Sequence, residues 1–408
     1  MKGYTMLLPS LMLLALTCCM LSPAPAAEAV TVQKSPFVGC EVNAFPPNKS
    51  AAVPKYVINL NLAPQDRWTQ LITDKRDQLR ALVSDMRNLT RGLLGDWLFN
   101  VVINNLDHLT TTLPSPYREE VEGISKASGL LVSEVTLYNI FYEVFTFCTS
   151  IIGQDANGKL YHGRNLDFGL FLGWNPKEHT WKVAELLKPL VVQQEWQRDG
   201  KTVYESVNYA GYVGVMTAVK KDKFTFSLDE RFVMEGGYVG LLEWMLLGDH
   251  KQKWNAFITR EVMEGAETYE AAKHMLSHTR LLAPVYFILG GAKPGQGTII
   301  TRWRDNFHTD DLSTKLSTSS SSSSSAWFLV ETNYDQWVSP PFYDDRRTPA
   351  VHCLRAAGRA NMSLPLLYNV LSTRPVLNKL TTYTSLMQVN SGEIGAWLRS
   401  CDDPCWPW

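Results

Sequence analysis

The first part of the chain places its apolar residues with the period of an α-helix. Across residues 65–113, apolar side chains recur every three or four positions, which puts them on one face of a helix. A Pro-Ser-Pro turn at 114–116 follows, and further helices are predicted from Tyr117 and from Ser133, whose hydroxyl would cap the second of them. Residues 28 to about 62 contain four prolines and are predicted to be irregular.

At Cys148 the pattern changes to that of β-strands. Two runs with β-type residues flank an Asn157-Gly158 pair, and Asn-Gly between such runs is typical of a tight β-hairpin. Counting outward from this turn predicts that Cys148 lies opposite Asp167, with Arg164 near the same end. A thiol beside a guanidinium and a carboxylate is typical of a reactive cysteine.

The remaining elements are predicted to alternate in blocks. Strands are predicted at 191–197, 202–208, 213–219, 224–228, 285–289, 298–303 and 327–332, and helices at 241–247, 254–263, 269–279, 348–359 and 364–372. This order favours antiparallel sheets covered by helices over a parallel βαβ sheet, and the predicted fold class is α+β. The Ser/Thr-rich tract at 313–325 has too few apolar residues to be buried, so we expect a flexible surface loop there.

Composition excludes several classes of protein. The 408 residues are 45% hydrophobic and 19% charged, which is typical of a globular protein with a large core. Lys and Arg number 39 against 40 Asp and Glu, for a formal net charge of −1. The chain therefore lacks the basic excess of a nucleic-acid-binding protein.

The N-terminus has the features of a secretory signal peptide, predicted over residues 1–27. Lys2 precedes a short apolar run at 6–21, and small residues suited to signal-peptidase cleavage follow. A membrane anchor is the alternative, but the run is short for a bilayer span, and a soluble secreted or lysosomal protein is expected. Three Asn-x-Ser/Thr triplets are candidate glycosylation sites in that pathway, at Asn48, Asn88 and Asn361.

The seven cysteines are an odd number. Cys18 and Cys19 would leave with the signal peptide, and an oxidising compartment should then pair four of the remaining five. Cys401 and Cys405 are close enough to close a small loop around a proline. One thiol among three would stay unpaired: that of Cys40, Cys148 or Cys353. Because no Cys-rich or His-rich cluster accompanies the terminal pair, no metal site is predicted.

Four separated motifs give the chain a specific resemblance. They lie at 148–151 (CTSI), 162–168 (HGRNLDF), 331–335 (ETNYD) and 344–349 (DDRRTP). Together and in this order they resemble the acid ceramidase family, whose relatives include the N-acylethanolamine-hydrolysing acid amidases. The likeness extends over nearly the whole mature chain. The segment Gly169–Trp174 and the Cys401/Cys405 pair favour acid ceramidase over its relatives, whereas the tract at 313–325 departs from the family.

The resemblance implies an N-terminal-nucleophile (Ntn) hydrolase with an αββα sandwich. In that family the precursor cuts its own chain before the catalytic cysteine, here between Phe147 and Cys148. The expected products are a helical α-subunit, residues 28–147, and a β-subunit, residues 148–408. The change of pattern at Cys148 agrees with this division.

The resemblance also implies the roles of five residues. Cys148 would be the nucleophile, with its freed α-amine as the base that takes the thiol proton. Asn333 would donate to the oxyanion, Asp167 would hold the amine, and Arg164 and Arg346 would orient Asp167 and the thiol. Since an unperturbed α-amine titrates near about 7.7–8.0, either a neutral amine and thiol or an ammonium–thiolate pair could be the resting state in acid.

Further residues follow from the same likeness. Glu230 and Trp174 are candidates for the substrate pocket, although Glu230 could equally well end a strand. With Cys148 as the nucleophile, Cys40 is left to pair with Cys353, and this disulfide would join the two subunits.

The implied function is hydrolysis of the N-acyl amide bond of ceramide to sphingosine and a fatty acid. The reaction would need no metal or other cofactor. It would take place in the lysosomal lumen, with secretion as a further destination. The implied partners are a membrane lipid substrate, the disulfide-linked second subunit and a saposin-type lipid-presenting activator, with no nucleic acid.

Three alternatives remain open. An acid amidase that prefers N-acylethanolamines would share all the catalytic residues. A non-enzymatic lipid carrier would suit the amphipathic helices and four tryptophans expected to be exposed. A papain-like pair of Cys148 with a histidine is the third, but counting along the hairpin places His162 near residue 153, away from the cysteine. The four tryptophans are Trp174, Trp181, Trp406 and Trp408.

Overall fold

The computed structural model describes residues 37–94, 106, 109–142, 146–168, 173–231, 243–244, 251–314 and 327–407. Several predictions lie wholly or mostly outside the described residues: the signal peptide, the segment 169–172, the helix at 241–247, most of the tract at 313–325, and Trp408. Among the residues that are described, no helix is long and apolar enough to cross a membrane.

The described residues form helices and strands in the order that the sequence pattern predicts in outline. The α-helices are α1 (Thr69–Asp74), α2 (Arg76–Leu94), α3 (Tyr117–Ser128), α4 (Val132–Tyr142), α5 (Lys182–Leu187), α6 (Asn255–Gly265), α7 (Tyr269–His278), α8 (Arg347–Ala357) and α9 (Leu364–Ser372). The strands are β1 (Lys55–Asn59), β2 (Thr146–Gln154), β3 (Leu160–Phe168), β4 (Trp174–Asn175), β5 (Thr180–Trp181), β6 (Val191–Arg198), β7 (Lys201–Tyr209), β8 (Thr217–Lys220), β9 (Phe224–Glu230), β10 (Val285–Gly291), β11 (Gly297–Arg302), β12 (Phe307–Asp311), β13 (Phe328–Glu331), β14 (Thr381–Gln388) and β15 (Glu393–Leu398).

Two large sheets pack against each other in the centre of the molecule. One has the strand order β1-β6-β7-β8-β9-β10-β11-β12, and the other has the order β13-β2-β3-β14-β15. Strands β2, β3 and β14 of the smaller sheet contact β9, β10 and β8 of the larger one. Helices α8 and α9 pack on the smaller sheet, and α6 and α7 pack on the larger one. The described layers are therefore helix, sheet, sheet, helix, as predicted for an αββα sandwich.

Both large sheets are antiparallel with one exception. Strand β1 pairs in parallel with β6 at the edge of the larger sheet, although it lies in the region predicted to be irregular. That prediction was wrong because five residues with a single buried side chain give almost no periodic signal. Strands β12, β14 and β15 were also missed, and β14 is buried along its whole length despite its Thr-rich sequence.

Helix boundaries follow the sequence pattern closely in the second half of the chain. The helices predicted at 348–359 and 364–372 are observed as α8 and α9. Ser133, by contrast, does not cap α4, which already begins at Val132. The Glu134 carboxylate accepts the N–H of Leu131 instead, so the helix end is satisfied by an acidic side chain rather than a hydroxyl.

The smaller sheet has a helix-facing side and a sheet-facing side. Ile151 belongs to the apolar cluster beneath α8 and α9, whereas Ile152 packs with Tyr286 and Ile288 between the sheets. Successive strand residues point to opposite faces. The even-numbered residues of β2 therefore point between the sheets, and the odd-numbered ones point toward the helices.

A buried charge cluster ties the N-terminal helices to the larger sheet. Glu120 of α3 is fully buried and accepts hydrogen bonds from Arg67 at 2.9 Å and Trp68 at 2.9 Å. Its two oxygens also lie 3.0 and 3.1 Å from the guanidinium of Arg260 in α6. That guanidinium lies 4.1 Å from the ring of Trp196 in β6. The cluster therefore joins residues on both sides of Cys148.

Two disulfides are present among the residues that the structure describes. Cys401 pairs with Cys405, and Cys40 pairs with Cys353 of α8. Cys148 is buried and forms no disulfide. Both predicted pairings are confirmed. Cys148 is the cysteine that was expected to stay unpaired.

Removal of the Cys40–Cys353 bridge should destabilise the protein more than removal of Cys401–Cys405. The first bridge spans 313 residues and the second spans 4, and a longer loop restricts the unfolded chain more. Replacing Cys40 and Cys353 by Ala in a Cys148→Ala chain should lower the free energy of unfolding by about 2–5 kcal/mol, measured by urea denaturation. The matched Cys401→Ala/Cys405→Ala variant should lose less, and an equal or larger loss would contradict this prediction.

Candidate active site

Cys148 is held at its nitrogen, its carbonyl oxygen and its sulfur by three different side chains. Its N–H donates to Asn333 Oδ1 at 2.7 Å, and its carbonyl accepts a hydrogen bond from Arg346. Its Sγ lies 2.6 Å from a guanidinium nitrogen of Arg164 and 3.8 Å from the carbonyl oxygen of Leu228. The residue is fully buried. Both the backbone and the thiol of Cys148 are therefore fixed in the centre of the molecule.

The hairpin register differs from the prediction by one residue. Cys148 lies opposite Leu166, and Phe147 lies opposite Asp167. The reason is the turn: the strands close at Gln154 and Leu160, so the connection has five residues rather than an Asn-Gly pair alone. Asp167 consequently points to the helix-facing side of the sheet, whereas Cys148 points between the sheets.

Asp167 is held by side chains from the start of β14. One carboxylate oxygen accepts from Thr381 Oγ1 at 2.6 Å, and the other accepts from Asn378 Nδ2 at 2.9 Å. Arg346 lies 3.5 Å away. Burial raises the pKa of Asp167 to about 6, against the opposing effect of Arg346. Asn378 and Thr381 were missed by sequence reasoning because nothing in their local sequence marks them as partners of a distant carboxylate.

Arg346 belongs to the site, although it lies in a run of charged residues that would ordinarily be solvated. Its guanidinium is 2.8 and 2.9 Å from the two oxygens of Asp344. It also donates to Asn333 Oδ1 at 3.1 Å and to the carbonyl of Thr332 at 3.0 Å. Both Asp344 and Arg346 are buried, whereas Asp345 between them accepts the N–H of Thr348 near the surface. The run is thus divided between the interior and the outside.

Where β13 ends, the Asn333 side chain takes the place of a backbone hydrogen-bond partner of Cys148. The pairing of β13 with β2 stops at Glu331, which lies opposite Ser150. Asn333 then adopts a left-handed conformation with a φ of 72°, which Asn tolerates better than most residues. Its Oδ1 binds the N–H of Cys148, while its Nδ2 donates to the carbonyl of Glu230 at 2.7 Å.

The two candidate pocket residues lie in different places. Glu230 is the last residue of β9, and its backbone carbonyl supports Asn333, so it does end a strand. Trp174 lies in the small β4–β5 hairpin, where its ring centroid is 5.0 Å from that of Trp181. Both tryptophans share a cluster with Leu380, which adjoins Thr381 rather than Cys148.

The tryptophans expected at the surface are largely covered. Trp181 is buried, and Trp174 and Trp406 are half-buried. The expectation of exposure was wrong for Trp181 because the C-terminal segment covers it, with the indole N–H donating to the carbonyl of Pro407.

Arg164 joins the thiol to a buried carboxyl that sequence reasoning missed. Besides Cys148, its guanidinium donates to Thr217 Oγ1 at 2.9 Å and lies 3.5 Å from Asp229 Oδ1. The same oxygen of Asp229 accepts a hydrogen bond from Ser150 Oγ at 2.8 Å. Burial raises the pKa of Asp229 to about 6, although Arg164 and Ser150 oppose this effect.

His162 lies away from the cysteine. It is paired with Ile152 in the hairpin, and its two ring nitrogens are each 3.0 Å from a hydroxyl, of Thr225 and of Ser227. Burial lowers the pKa of His162 to about 3, so the ring is neutral. The geometry therefore gives no support to a papain-like pair with Cys148. Among the described residues, no group of three or more His, Cys, Asp or Glu is arranged to hold a metal ion.

This arrangement suits nucleophilic chemistry at Cys148. Burial raises the pKa of the thiol, and Arg164 opposes that rise. A guanidinium in contact with a buried sulfur stabilises the thiolate once the proton is removed. The Cys148 nitrogen is in a peptide bond in this structure, so the site holds no free amine that could act as the base.

Known proteins match this chain over most of its length. Residues 51–113 match the family model of the beta subunit of N-acylethanolamine-hydrolyzing acid amidase. Residues 148–394 match that of the linear amide C–N hydrolases, choloylglycine hydrolase family. The chain is 43% identical to acid ceramidase of Homo sapiens over 392 residues, which are 94% of this chain and 97% of that protein.

Further relatives agree with these matches. Acid ceramidase of Mus musculus is 45% identical over 374 residues, 90% of this chain and 93% of that protein. A solved structure of the Caenorhabditis elegans N-acylethanolamine-hydrolyzing acid amidase ortholog is 30% identical, with a TM-score of 0.50. That similarity covers 62% of this chain and 100% of the nematode chain.

The two buried carboxyls predict a fold that is more stable in acid. Asp167 and Asp229 each have a pKa of about 6 in the folded chain against an ordinary value of 3.8. The folded state therefore binds their protons more tightly. Their stabilisation is complete below the ordinary value and is lost as the pH rises through about 6. Each should contribute up to about 3 kcal/mol to the change in the free energy of unfolding.

Urea denaturation of an uncleaved Cys148→Ala chain at a series of pH values measures this effect. Its stability should decrease from pH about 4 to pH about 7. The same chain carrying Asp167→Asn and Asp229→Asn should show a much flatter profile, because the remaining contributions of Glu331, with its raised pKa, and His162, with its lowered pKa, have opposite signs. An unchanged slope in the triple variant would show that other groups control the pH dependence.

Proposed function

The chain belongs to the acid ceramidase family of linear amide C–N hydrolases, and on this basis we propose that it hydrolyses the N-acyl amide bond of ceramide to sphingosine and a free fatty acid. It is an amidohydrolase with an Ntn-type fold. The observation that carries the proposal is the buried Cys148, which contacts Arg164 and is held by Asn333 and Arg346 in a chain that acid ceramidase of Homo sapiens matches over 94% of its length. These are the residues expected for a nucleophile and its support.

We propose that the enzyme is activated by cleavage of its own Phe147–Cys148 bond. The thiol would add to the Phe147 carbonyl carbon, and collapse of the adduct would break the C–N bond as the nitrogen takes up a proton. This leaves a thioester between Phe147 and Sγ, which water hydrolyses to the Phe147 carboxylate and the free thiol. The choloylglycine hydrolase match begins at residue 148, which supports cleavage at this bond.

The contacts of Cys148 suit the product of that cleavage as well as the intact chain. The nitrogen that would become the α-amine already donates to Asn333 Oδ1. The Cys148 carbonyl stays bound to Arg346. The amine would therefore be released in place, beside the thiol that it must deprotonate. The products would be residues 28–147 and 148–408, joined by the Cys40–Cys353 disulfide.

In each turnover the α-amine would take the thiol proton, and the thiolate would attack the amide carbonyl of the lipid. The leaving sphingosine amine would receive that proton, and water would then hydrolyse the acyl thioester. Arg164 would stabilise the thiolate. Asn333 would donate to the oxyanion, for which its Nδ2 must leave the Glu230 carbonyl that it contacts in the uncleaved chain. Asp167 and Arg346 would hold the amine end of Cys148.

The proposed location is the lysosomal lumen, after removal of residues 1–27. Greater stability in acid, as expected from Asp167 and Asp229, would suit that compartment. The three glycosylation candidates, Asn48, Asn88 and Asn361, all lie at exposed positions. A saposin-type protein that lifts ceramide from the membrane is proposed as a partner from family membership alone.

A second candidate function is hydrolysis of N-acylethanolamines. It is favoured by the match of residues 51–113 to the acid amidase subunit and by the nematode structure. Both substrates have the same reacting amide and a fatty acyl chain, so the catalytic residues do not distinguish between them.

Replacing Cys148 should abolish both cleavage and turnover. Without the thiol no thioester can form, so Cys148→Ala should remain a single chain on a reducing denaturing gel and lose at least about 10³-fold in kcat/KM. Wild type should give two chains, the larger beginning at Cys148. The matched control Asp345→Asn, at a half-buried position of the charged run outside the site, should cleave and react like wild type. A wild type that stays uncleaved and binds lipid without turnover would favour the carrier.

Substrate preference separates the two enzymatic functions. We expect ceramide to be turned over with a kcat/KM at least about tenfold above that of an N-acylethanolamine with the same acyl chain, a difference of about 1.4 kcal/mol in transition-state stabilisation. The measurement is a comparison of both substrates at acidic pH with the cleaved enzyme. A preference for the ethanolamide would replace the ceramidase assignment.

A further inference from the structure

One guanidinium serves both the thiol of Cys148 and the carboxyl of Asp229. Arg164 lies 2.6 Å from Sγ and 3.5 Å from Asp229 Oδ1. Asp229 is fully buried on β9, on the strand that faces β2 from the other sheet. Its Oδ1 accepts from Ser150, whereas its Oδ2 has no hydrogen-bond partner among the described residues. A charged carboxylate oxygen that is buried without a hydrogen bond destabilises the folded protein.

We propose that Asp229 regulates the nucleophile: its charged carboxylate competes with Cys148 for Arg164, and its protonation leaves the guanidinium to stabilise the thiolate. The inference rests on the proposed role of Cys148 as the nucleophile. It assigns to Asp229 an influence on the reactivity of the thiol that does not require contact with the substrate.

The electrostatic argument has a definite sign. A negative charge near the thiol disfavours the thiolate, and the charge of Asp229 does raise the pKa of Cys148, whereas Arg164 lowers it. Burial raises the pKa of Asp229 to about 6. As the pH falls through about 6, Asp229 becomes neutral and its effect on the thiol is removed. At low pH the pKa of the Cys148 thiol is therefore lower than it would be if Asp229 kept its negative charge.

Apart from Asp167, the groups around Asp229 do not reproduce this change. The facing groups are Arg164 on β3, Tyr286 on β10, Glu331 on β13, Tyr383 on β14, and Arg346. The arginines keep their charge, and burial keeps both tyrosines neutral. Burial raises the pKa of Glu331 to about 8, so it is neutral below that value. Asp167 titrates in the same range as Asp229 and its charge also raises the pKa of the thiol, but it lies on the opposite face of the sheet and pairs with Arg346 rather than Arg164.

The substitution Asp229→Asn tests this, because it keeps the shape and removes the charge. The readout is the rate at which iodoacetamide alkylates Cys148 in the full chain, measured between pH about 5 and 8, the range around the Asp229 transition. We expect Asp229→Asn to raise the alkylation rate at neutral pH by about tenfold, which corresponds to a decrease of about one unit in the pKa of the thiol. Self-cleavage and ceramide turnover by Asp229→Asn should also continue to a higher pH than in wild type.

Two further variants keep the test sharp. Glu331→Gln removes another fully buried carboxyl, which carries no charge below about pH 8, and its alkylation profile should match wild type. Ser150→Ala removes a hydrogen bond that favours the charged form of Asp229. Because this variant retains the carboxyl, it should shift the pH dependence of the alkylation rate to higher pH. It also replaces Asp229→Asn in the test if that variant does not fold.

The outcomes separate this inference from the assignment of function. If Asp229→Asn and Ser150→Ala lower the rate at every pH without shifting the profile, the carboxyl only supports the fold and the inference is wrong. If the profile shifts as expected but wild type does not hydrolyse ceramide, the inference stands and the substrate assignment fails. Alkylation does not involve ceramide, so the two results are independent.

Discussion

The fixed position of the Cys148 backbone is the constraint on which the site depends. A strand residue normally shares its N–H and C=O with neighbouring strands, but β13 ends before it reaches this position. A side-chain amide, Asn333, and a side-chain guanidinium, Arg346, take the place of the missing backbone partners. The left-handed turn at Asn333 and the buried Asp344 that holds Arg346 both serve this substitution. The same side-chain atoms of Asn333 and Arg346 thus complete the backbone hydrogen bonds of Cys148 and fix the geometry of the candidate site.

The interior of the molecule also contains a group of buried charges. Arg164 and Arg346 are buried with Asp167, Asp229 and Asp344, and buried charges are tolerated only when they are paired and hydrogen-bonded. The carboxyls of Asp167 and Asp229 nevertheless retain protons more strongly than exposed ones, because burial raises their pKa values more than the pairing lowers them. An acidic compartment relieves this cost, so one set of interactions connects the stability of the fold with the reactivity of its thiol.

Sequence reasoning succeeded where the signal was local and failed where it depended on distant contacts. Helices α8 and α9 were predicted within a few residues because their apolar spacing is complete. The hairpin around Asn157-Gly158 was recognised, yet its register was wrong by one residue because the length of the connection cannot be read from the turn pair alone. Asp229, Asn378 and Thr381 were missed because each becomes a site residue only through strands brought together from elsewhere in the chain. Arg346 was assigned only through the family motif, since a charged run by itself predicts a solvated surface.

The Glu120 cluster would hold the two pieces together after the proposed cleavage of the chain. Glu120, Arg67 and Trp68 precede the Phe147–Cys148 bond, whereas Arg260 and Trp196 follow it. Pulling the two pieces apart would break these charge-assisted hydrogen bonds and expose the apolar cluster that residues of both pieces share, and both changes oppose dissociation. The halves of one molecule would therefore not exchange readily with those of another, even where the disulfide between them is reduced. Maturation by the proposed cleavage would then be a one-way event within each molecule, and every active site would keep the helical half with which it was synthesised.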